Sequence, residues 1–423
     1  MKFALLGCDP DTLALALAVA GSGAHEVSWA YDLGQHEPYI RAAAPGLLIA
    51  GHWEDLLGGS VADAVIVSRA VDEEVRAEQL RKLTQAGIRM IVSHPVVDSM
   101  LVYYELDMIR RESRATMLPY VPQRWHTAWS RVSEWIGDGA EGRLGTLEQV
   151  VVEHALADRG RREVLHAFVR DMELVRPFCG VLNKVSAMTS FAARTSPDRV
   201  NYGTLSVQMS SLSNVLVRWS ISAGTESGAT RYTFLGSRGK IVLDAKPADA
   251  WQLELLSGGD TLHETIGSVD VAAVALPELV QGAHVTGSSE THEEAGPALP
   301  VNDWLDACRT MELADAAEHS LQRGRTIELH YDTPSEQATF KGVMSGVSCL
   351  LLIVGLLVLV VATTAVNAGV PLADYWPYVL LAILVVFLLL QCLRLVFPGD
   401  RATPTADARR DTVDRDARRE LQR

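Results

Sequence analysis

Two long apolar runs near the carboxyl end constrain this chain more than any other feature. From Gly342 to Val366 there is no charged residue and the run is rich in Leu and Val; a second run extends from Tyr378 to Phe397, with Arg394 as its one charge. A bilayer core about 30 Å thick takes roughly 20 helical residues, so each run is long enough to span it. Arg394 lies near the end of its run, where an arginine snorkels to the headgroups. The connector carries the turn residues Pro371 and Pro377 and the aromatic cluster Tyr375, Trp376 and Tyr378, which suits a membrane interface. Neither run pairs an acid with a base, so the expected role is anchoring and not conduction.

Charge gives the expected orientation. The connector has no Lys or Arg, whereas Lys341 precedes the first run and Arg401, Arg409, Arg410, Arg415, Arg418 and Arg419 follow the second. The positive-inside rule then predicts a two-pass membrane protein with both termini and the soluble part in the cytoplasm. Residues 398–423 alternate Arg and Asp with few apolar residues and read as a disordered charged tail.

The rest of the 423 residues is too long for a single core, so two soluble domains are expected. A formal net charge of −14 argues against nucleic acid as the main partner. Five scattered cysteines with no CxxC or Cys/His spacing read as reduced thiols, not a disulfide frame or a metal site. The opening MKFALLGC reads as a strand followed by a helix and not as a signal peptide, since Asp9, Pro10 and Asp11 interrupt the apolar run such a segment needs.

Short apolar runs alternate with amphipathic stretches over the first ninety residues. Strands are predicted at Phe3–Leu6, Glu26–Tyr31, Gly46–Ile49, Ala62–Ser68 and Arg89–Val92. Helices are predicted at Leu13–Ala20, around Tyr39–Ala44, from His52, and at Glu73–Ala86, the last stopped by Gly87. This alternation predicts an α/β fold with a parallel, doubly wound sheet whose ligands lie at the carboxyl ends of the strands. After Gly145 longer strand-like runs follow, at Leu147–Val152, Leu182–Met188, Thr204–Met209, Val215–Ile221, Tyr232–Phe234 and Ile241–Leu243. They predict an α+β domain with an open mixed, largely antiparallel sheet. Gly258–Pro300 lacks a pattern and reads as a mobile excursion; Asp303–Arg323 reads as an amphipathic helix. The expected division is a Rossmann-like domain at 1–122, a second domain at 123–340, membrane helices at 342–366 and 378–397, and the tail.

Several segments in this order resemble the glucose–fructose oxidoreductase / inositol dehydrogenase (Gfo/Idh/MocA) family over residues 1–335. The most specific is Tyr232-Thr-Phe-Leu-Gly-Ser-Arg-Gly-Lys-Ile-Val-Leu-Asp244, similar to that family's strand–Gly-x-x-Gly–strand signature. ADAVIVS and QAGIRMIVSHPVVDS resemble the stretch that carries its fourth strand, fifth strand and Glu-Lys-Pro motif. Gly142-Arg-Leu-Gly145, the helix ending at Cys179-Gly180, and ADAAEHSLQRGRTIEL resemble the entry to its second domain, its active-site helix and its closing helix and strand. The resemblance implies NAD or NADP in the first domain and chemistry on sugar-like polyols.

The site residues that the resemblance points to are altered. A dinucleotide turn is built on G-x-G-x-x-G, which brings backbone and a helix dipole to the pyrophosphate. Here Gly7-Cys8-Asp9-Pro10-Asp11-Thr12 keeps one glycine and adds two acids, although Asp9 and Pro10 make a good helix start. Asp32 closes the second strand where an acid would bond the adenosine ribose, or serves as a turn residue. His94 stands in Ser93-His94-Pro95 where the family has lysine, and can act as an acid or base. Alignment on Gly180 places His166, Arg170 and Glu173 on the family's Asp, His and Asp positions, on one helical face. Arg170 cannot release a proton at physiological pH. Arg69, after the fourth strand, would clamp a phosphate or carboxylate.

Two functions remain open at this point. One is a non-catalytic ligand-binding or scaffolding protein, a pseudoenzyme with degenerate motifs. The other is an active NAD(P)-dependent oxidoreductase with a rearranged proton relay. The expected partners are the membrane, a small hydroxylated or anionic ligand, and a second copy of the chain through the open sheet face.

Overall fold

Apart from the short edge strand Leu48–Ile49, the first strands are largely buried on both faces, as strands of a parallel sheet must be when helices cover each side. They are β1 (Lys2–Leu6), β2 (Glu26–Tyr31), β3 (Leu48–Ile49), β4 (Ala64–Val67), β5 (Met90–Ser93) and β6 (Met117–Tyr120). All pair in parallel, in the order β3-β2-β1-β4-β5-β6. Helices α1 (Pro10–Gly21), α2 (Glu37–Ala43), α3 (Glu73–Gln85) and α4 (Met100–Ser113) alternate with them. The direction of winding reverses between β1 and β4, which opens a crevice at their carboxyl ends. The computed structural model describes residues 1–58, 61–137, 142–190, 192–196, 199–222, 228–246, 249–284 and 303–329.

Helix α5 (Ala128–Ile136) leads to a nine-stranded sheet. Its strands are β7 (Leu147–Ala155), β8 (Leu182–Thr189), β11 (Leu205–Ser211), β12 (Leu216–Ser222), β13 (Thr230–Gly236), β14 (Gly239–Ala245), β15 (Trp251–Ser257), β16 (Asp260–Ile266) and β17 (Ile327–Glu328); β9 (Ala192–Ser196) and β10 (Arg199–Tyr202) form a separate hairpin. The order is β16-β15-β14-β13-β7-β12-β11-β8-β17, antiparallel except where β7 meets β12. Alternation along each strand separates a buried face, with Val150, Val152, Trp219, Phe234, Ile241 and Leu253, from an outer face with Gln208, Arg218 and Arg231. Helix α6 (Arg161–Cys179) lies on the buried face, with Phe168 edge-on to Trp219 and Phe178 against Phe234.

The mixed α/β architecture expected from the sequence is present as two sheets within one compact unit, Met1–His330. One segment corrects the reading. Gly258–Pro300, expected to be a patternless excursion, contains β16 and a fourteen-residue helix, α7 (Val271–His284); residues 285–302 lie outside the described residues. α7 returns to the first sheet. Its Ala275, Leu276, Leu279 and Ala283 join a core with Leu15, Ala16 and Val19 of α1 and with Leu118 and Tyr120. Glu278 accepts a 2.6 Å hydrogen bond from the Trp125 indole. The closing helix α8 (Trp304–Arg323) begins at Asp303, whose carboxylate caps the amide of Asp306.

Both expected membrane spans, 342–366 and 378–397, and the tail at 398–423 lie outside the described residues. Among the described residues no helix is long and apolar enough to cross a membrane. Leu279 is fully buried in the α1–α7 contact. Leu279→Ala is expected to lower stability by about 2–5 kcal/mol, the usual cost of a cavity of this kind, as read by denaturant unfolding followed by tryptophan fluorescence.

Candidate functional site

The crevice begins at Gly7, which leaves β1 with a left-handed φ of +77°. A Cβ there would lie 2.3 Å from Ser68 Oγ and 2.5 Å from the Arg76 guanidinium, so both conformation and space demand glycine. Arg76 is buried, which pushes its pKa down to about 10 against the attraction of Asp32, Asp9 and Tyr31. Asp32 itself is exposed at the end of β2, with φ +57°.

At the first turn of α1 the chain supplies its own anion. Asp9 Oδ1 accepts the Thr12 amide at 2.9 Å, and Thr12 Oγ1 accepts the Asp9 amide at 2.9 Å, a reciprocal cap with Pro10 behind it. Asp9 Oδ2 accepts the Arg69 amide at 3.2 Å and lies 3.5 Å from Arg69 Nε. Burial works against ionisation of Asp9, but the Thr12 amide, the Arg69 charge and the Arg69 amide outweigh it and hold the carboxyl below its ordinary range. Asp11 pairs with Arg69 at 3.6 Å and with Arg170 at 3.0 Å.

The structure divides the remaining candidates. His166 and Arg170 join the crevice: His166 Nδ1 is 3.3 Å from Arg69 Nη1 and its Nε2 is 2.8 Å from Asp98 Oδ1, and Arg170 donates to Gln123 Oε1 at 2.7 Å. His94 and Glu173 do not. They are 2% and 1% exposed and meet between β5, α6 and α8, away from the cleft lining. Tyr103 Oη accepts the Val96 amide at 2.9 Å and lies 2.9 Å from His94 Nδ1. His94 Nε2 then faces Thr310 Oγ1 at 3.2 Å and Glu173 Oε1 at 3.4 Å, and Thr310 donates to Glu173 at 2.5 Å. The shared face expected for His166, Arg170 and Glu173 is therefore split, because α6 is packed on nearly all sides.

Above α6 the two sheets enclose a cleft of about 560 Å³. Asp11, Arg69, Gln123 and Arg170 line one side; His126, His154, Asp171, Thr230, Tyr232 and Trp251 line the other. His154 and Asp171 form a pair that the sequence reading missed. His154 Nδ1 lies 2.8 Å from Asp171 Oδ2, and the same carboxylate takes the Trp219 indole and the Tyr232 hydroxyl, each at 2.7 Å. Signals for both residues were present. His154 continues the inward register of Val150 and Val152, and Asp171 interrupts the apolar stripe Val164, Phe168, Val175. His126, also missed, stacks on Trp251 with ring centroids 3.7 Å apart. Among the described residues no group of His, Cys, Asp and Glu is arranged to hold a metal ion.

No family model matches the sequence, and no curated protein matches it. Solved structures do match. A 3-ketoreductase from Actinomadura kijaniata in complex with NADP superposes with a TM-score of 0.60 at 16% identity, over 76% of this chain and 97% of that one. A putative myo-inositol dehydrogenase from Sinorhizobium meliloti gives 0.59 and 17%, over 78% and 100%. An oxidoreductase from Agrobacterium radiobacter, solved with NAD+, L-tartaric acid and magnesium, gives 0.61 and 13%, over 78% and 98%. The fold is that of these oxidoreductases. It agrees with the resemblance read from the sequence, and identities this low speak to fold alone.

The buried Glu173 carries a testable consequence. Burial opposes its charge, yet the hydrogen bond and charge of His94, with Arg176 and Thr310, bring its pKa from the ordinary 4.5 down to about 2. A depressed carboxylate pKa stabilises the fold above the unfolded value, and that stability is lost as pH falls through the folded value. Glu173→Gln is expected to destabilise the protein by about 3 kcal/mol at pH 6, and the deficit should shrink steadily between pH 5 and pH 2. Parallel urea unfolding curves across that range check it.

Proposed function

We propose that this chain is a membrane-tethered, ligand-binding protein of the dehydrogenase fold whose cleft takes a small hydroxylated or anionic molecule and no dinucleotide. The observation that carries this reading is Asp9. Its carboxylate accepts the helix-terminal amide and the Arg69 contacts that a pyrophosphate would need, so the residues at this turn do not fit that group. A phosphate 5 Å from Asp9 would meet repulsion of about 3 kcal/mol at an effective dielectric near 20, with Asp11 adding more. Arg69 and Arg170 are already committed to these acids.

A second reading, an active NAD(P)-dependent oxidoreductase, is favoured by Asp32 at the end of β2 and by the NADP and NAD+ complexes among the structural neighbours. Titration of the full chain with NADH and NADPH, followed by cofactor fluorescence, separates the two. No saturable binding up to millimolar cofactor is expected; micromolar binding would replace the first reading with the second.

The tether rests on the two long apolar runs and on the Lys and Arg that flank them. The full chain is expected to stay with the membrane fraction through an alkaline carbonate wash and to be released only by detergent. Recovery in the carbonate supernatant would remove the membrane spans.

A further inference from the structure

The cleft above α6 has an electrical sign. Four carboxylates line it, those of Asp11, Glu163, Asp171 and Asp249, against the three basic side chains of Arg69, Arg170 and Lys246. None of the three is open to an incoming anion. Arg69 lies between Asp9, Asp11 and His166, Arg170 lies between Asp11 and Gln123, and Lys246 is not free either. Two of the acids are placed differently. Glu163, in the first turn of α6, and Asp249, between β14 and β15, are exposed at the cleft and have no hydrogen bond or ion pair among the described residues.

Asp171 is the deep member of the set, 3% exposed. It accepts the Trp219 indole and the Tyr232 hydroxyl, each at 2.7 Å, and lies 2.8 Å from His154 Nδ1. The indole and the hydroxyl are neutral, and His154 is the one basic group within 4 Å of this carboxylate among the described residues. An ionised carboxylate only accepts, so Nδ1 carries the proton of that bond and His154 Nε2 keeps its lone pair. Nε2 has no hydrogen-bond partner among the described residues. The buried negative charge is thus met by hydrogen bonds and by no full positive charge, which is costly in a poorly hydrated place. Through the Nδ1–H bond it also polarises the imidazole and makes Nε2 a stronger acceptor.

We propose that the cleft binds a small hydroxylated primary amine in its ammonium form, whose N–H donates to His154 Nε2 while Asp171 supplies the counter-charge behind the ring. A hydroxyl would also donate to Nε2, but it would leave the charge of the site unmet. A carboxylate or phosphate would bring an acceptor to an acceptor and a negative charge to a negative wall. Glu163 and Asp249 raise the local concentration of cations at the cleft, and the net charge of −14 acts in the same sense at longer range. The inference rests on the hydroxylated-ligand reading of the proposed function and adds the sign of the ligand's charge.

The test is isothermal titration calorimetry on the full chain in detergent at about pH 7.5. Its probes share one polyhydroxylated carbon skeleton: 1-amino-1-deoxyglucitol, glucitol and gluconate, which are cationic, neutral and anionic. The amine is expected to bind about tenfold tighter than glucitol, the gain of a charge-assisted hydrogen bond over a neutral one, and gluconate is expected not to bind. Raising salt from about 50 mM to about 500 mM should weaken the amine several-fold and leave glucitol unchanged. The probe series on wild type needs no variant. Asp171→Asn, which keeps the size of the side chain, should bring the amine to the affinity of glucitol. Glu163→Gln with Asp249→Asn, both exposed, should cost the amine roughly two- to threefold. Equal or tighter binding of glucitol or gluconate would overturn the inference and leave the proposed function standing. Binding of none of the three would remove both. An amine that keeps its advantage in a folded Asp171→Asn chain would overturn its placement on His154.

Discussion

The structure turns on two carboxylates at the start of α1 and the two guanidiniums that neutralise them. Asp9 and Asp11 come from the β1–α1 turn, Arg69 from the end of β4, and Arg170 from the helix that lies on the second sheet. Charges this poorly hydrated are costly when unpaired, so the four side chains hold each other in place. They also fix the rotation of α6 against the parallel sheet. Within one turn of that helix, Arg170 reaches α1, Asp171 reaches the second sheet, and Glu173 reaches the pocket between β5 and α8. Displacing Arg170 would therefore disturb three environments at once.

Much of the fold could be read from residue pattern because burial on both faces produces unbroken apolar strands. Phe3–Leu6 and Ala64–Val67 are of this kind, and the signals that start and stop α3 are equally plain at Asp72 and Gly87. The segment from β16 to α7 was illegible for opposite reasons. β16 is an exposed edge strand with little apolar content, and α7 is apolar nearly all round with Pro277 inside it, so neither shows a one-sided period. The site was legible only where neighbours in space are neighbours in sequence. The cap of Asp9 on Thr12 is local and could be foreseen. Glu173 was grouped with His166 and Arg170 because spacing along a helix gives direction but not what lies opposite, and His94 joined them by its place in the family's lysine motif; the partner that both meet, Thr310, comes from far along the chain. The His154–Asp171 pair depends on sheet register in the same way.

Changed residues at a familiar position need not leave a gap. Where a bound phosphate would cap the α1 dipole, a side-chain carboxylate does so, and the basic residue nearby is retained as its counterion. The helix end is electrostatically satisfied in either case. Conversion between the two arrangements is a matter of which anion is covalently attached.

The return of α7 to the first sheet has a consequence for synthesis. The apolar side of α1 that meets Ala275 and Leu279 is made among the first residues of the chain, yet its cover is made only after almost the whole second sheet. On the ribosome the amino-terminal half therefore waits with that surface open while β7 to β16 emerge. Such delayed, long-range closure is slow and leaves a nascent chain that holdase chaperones would recognise. The amino-terminal half is thus finished late, although it is made early.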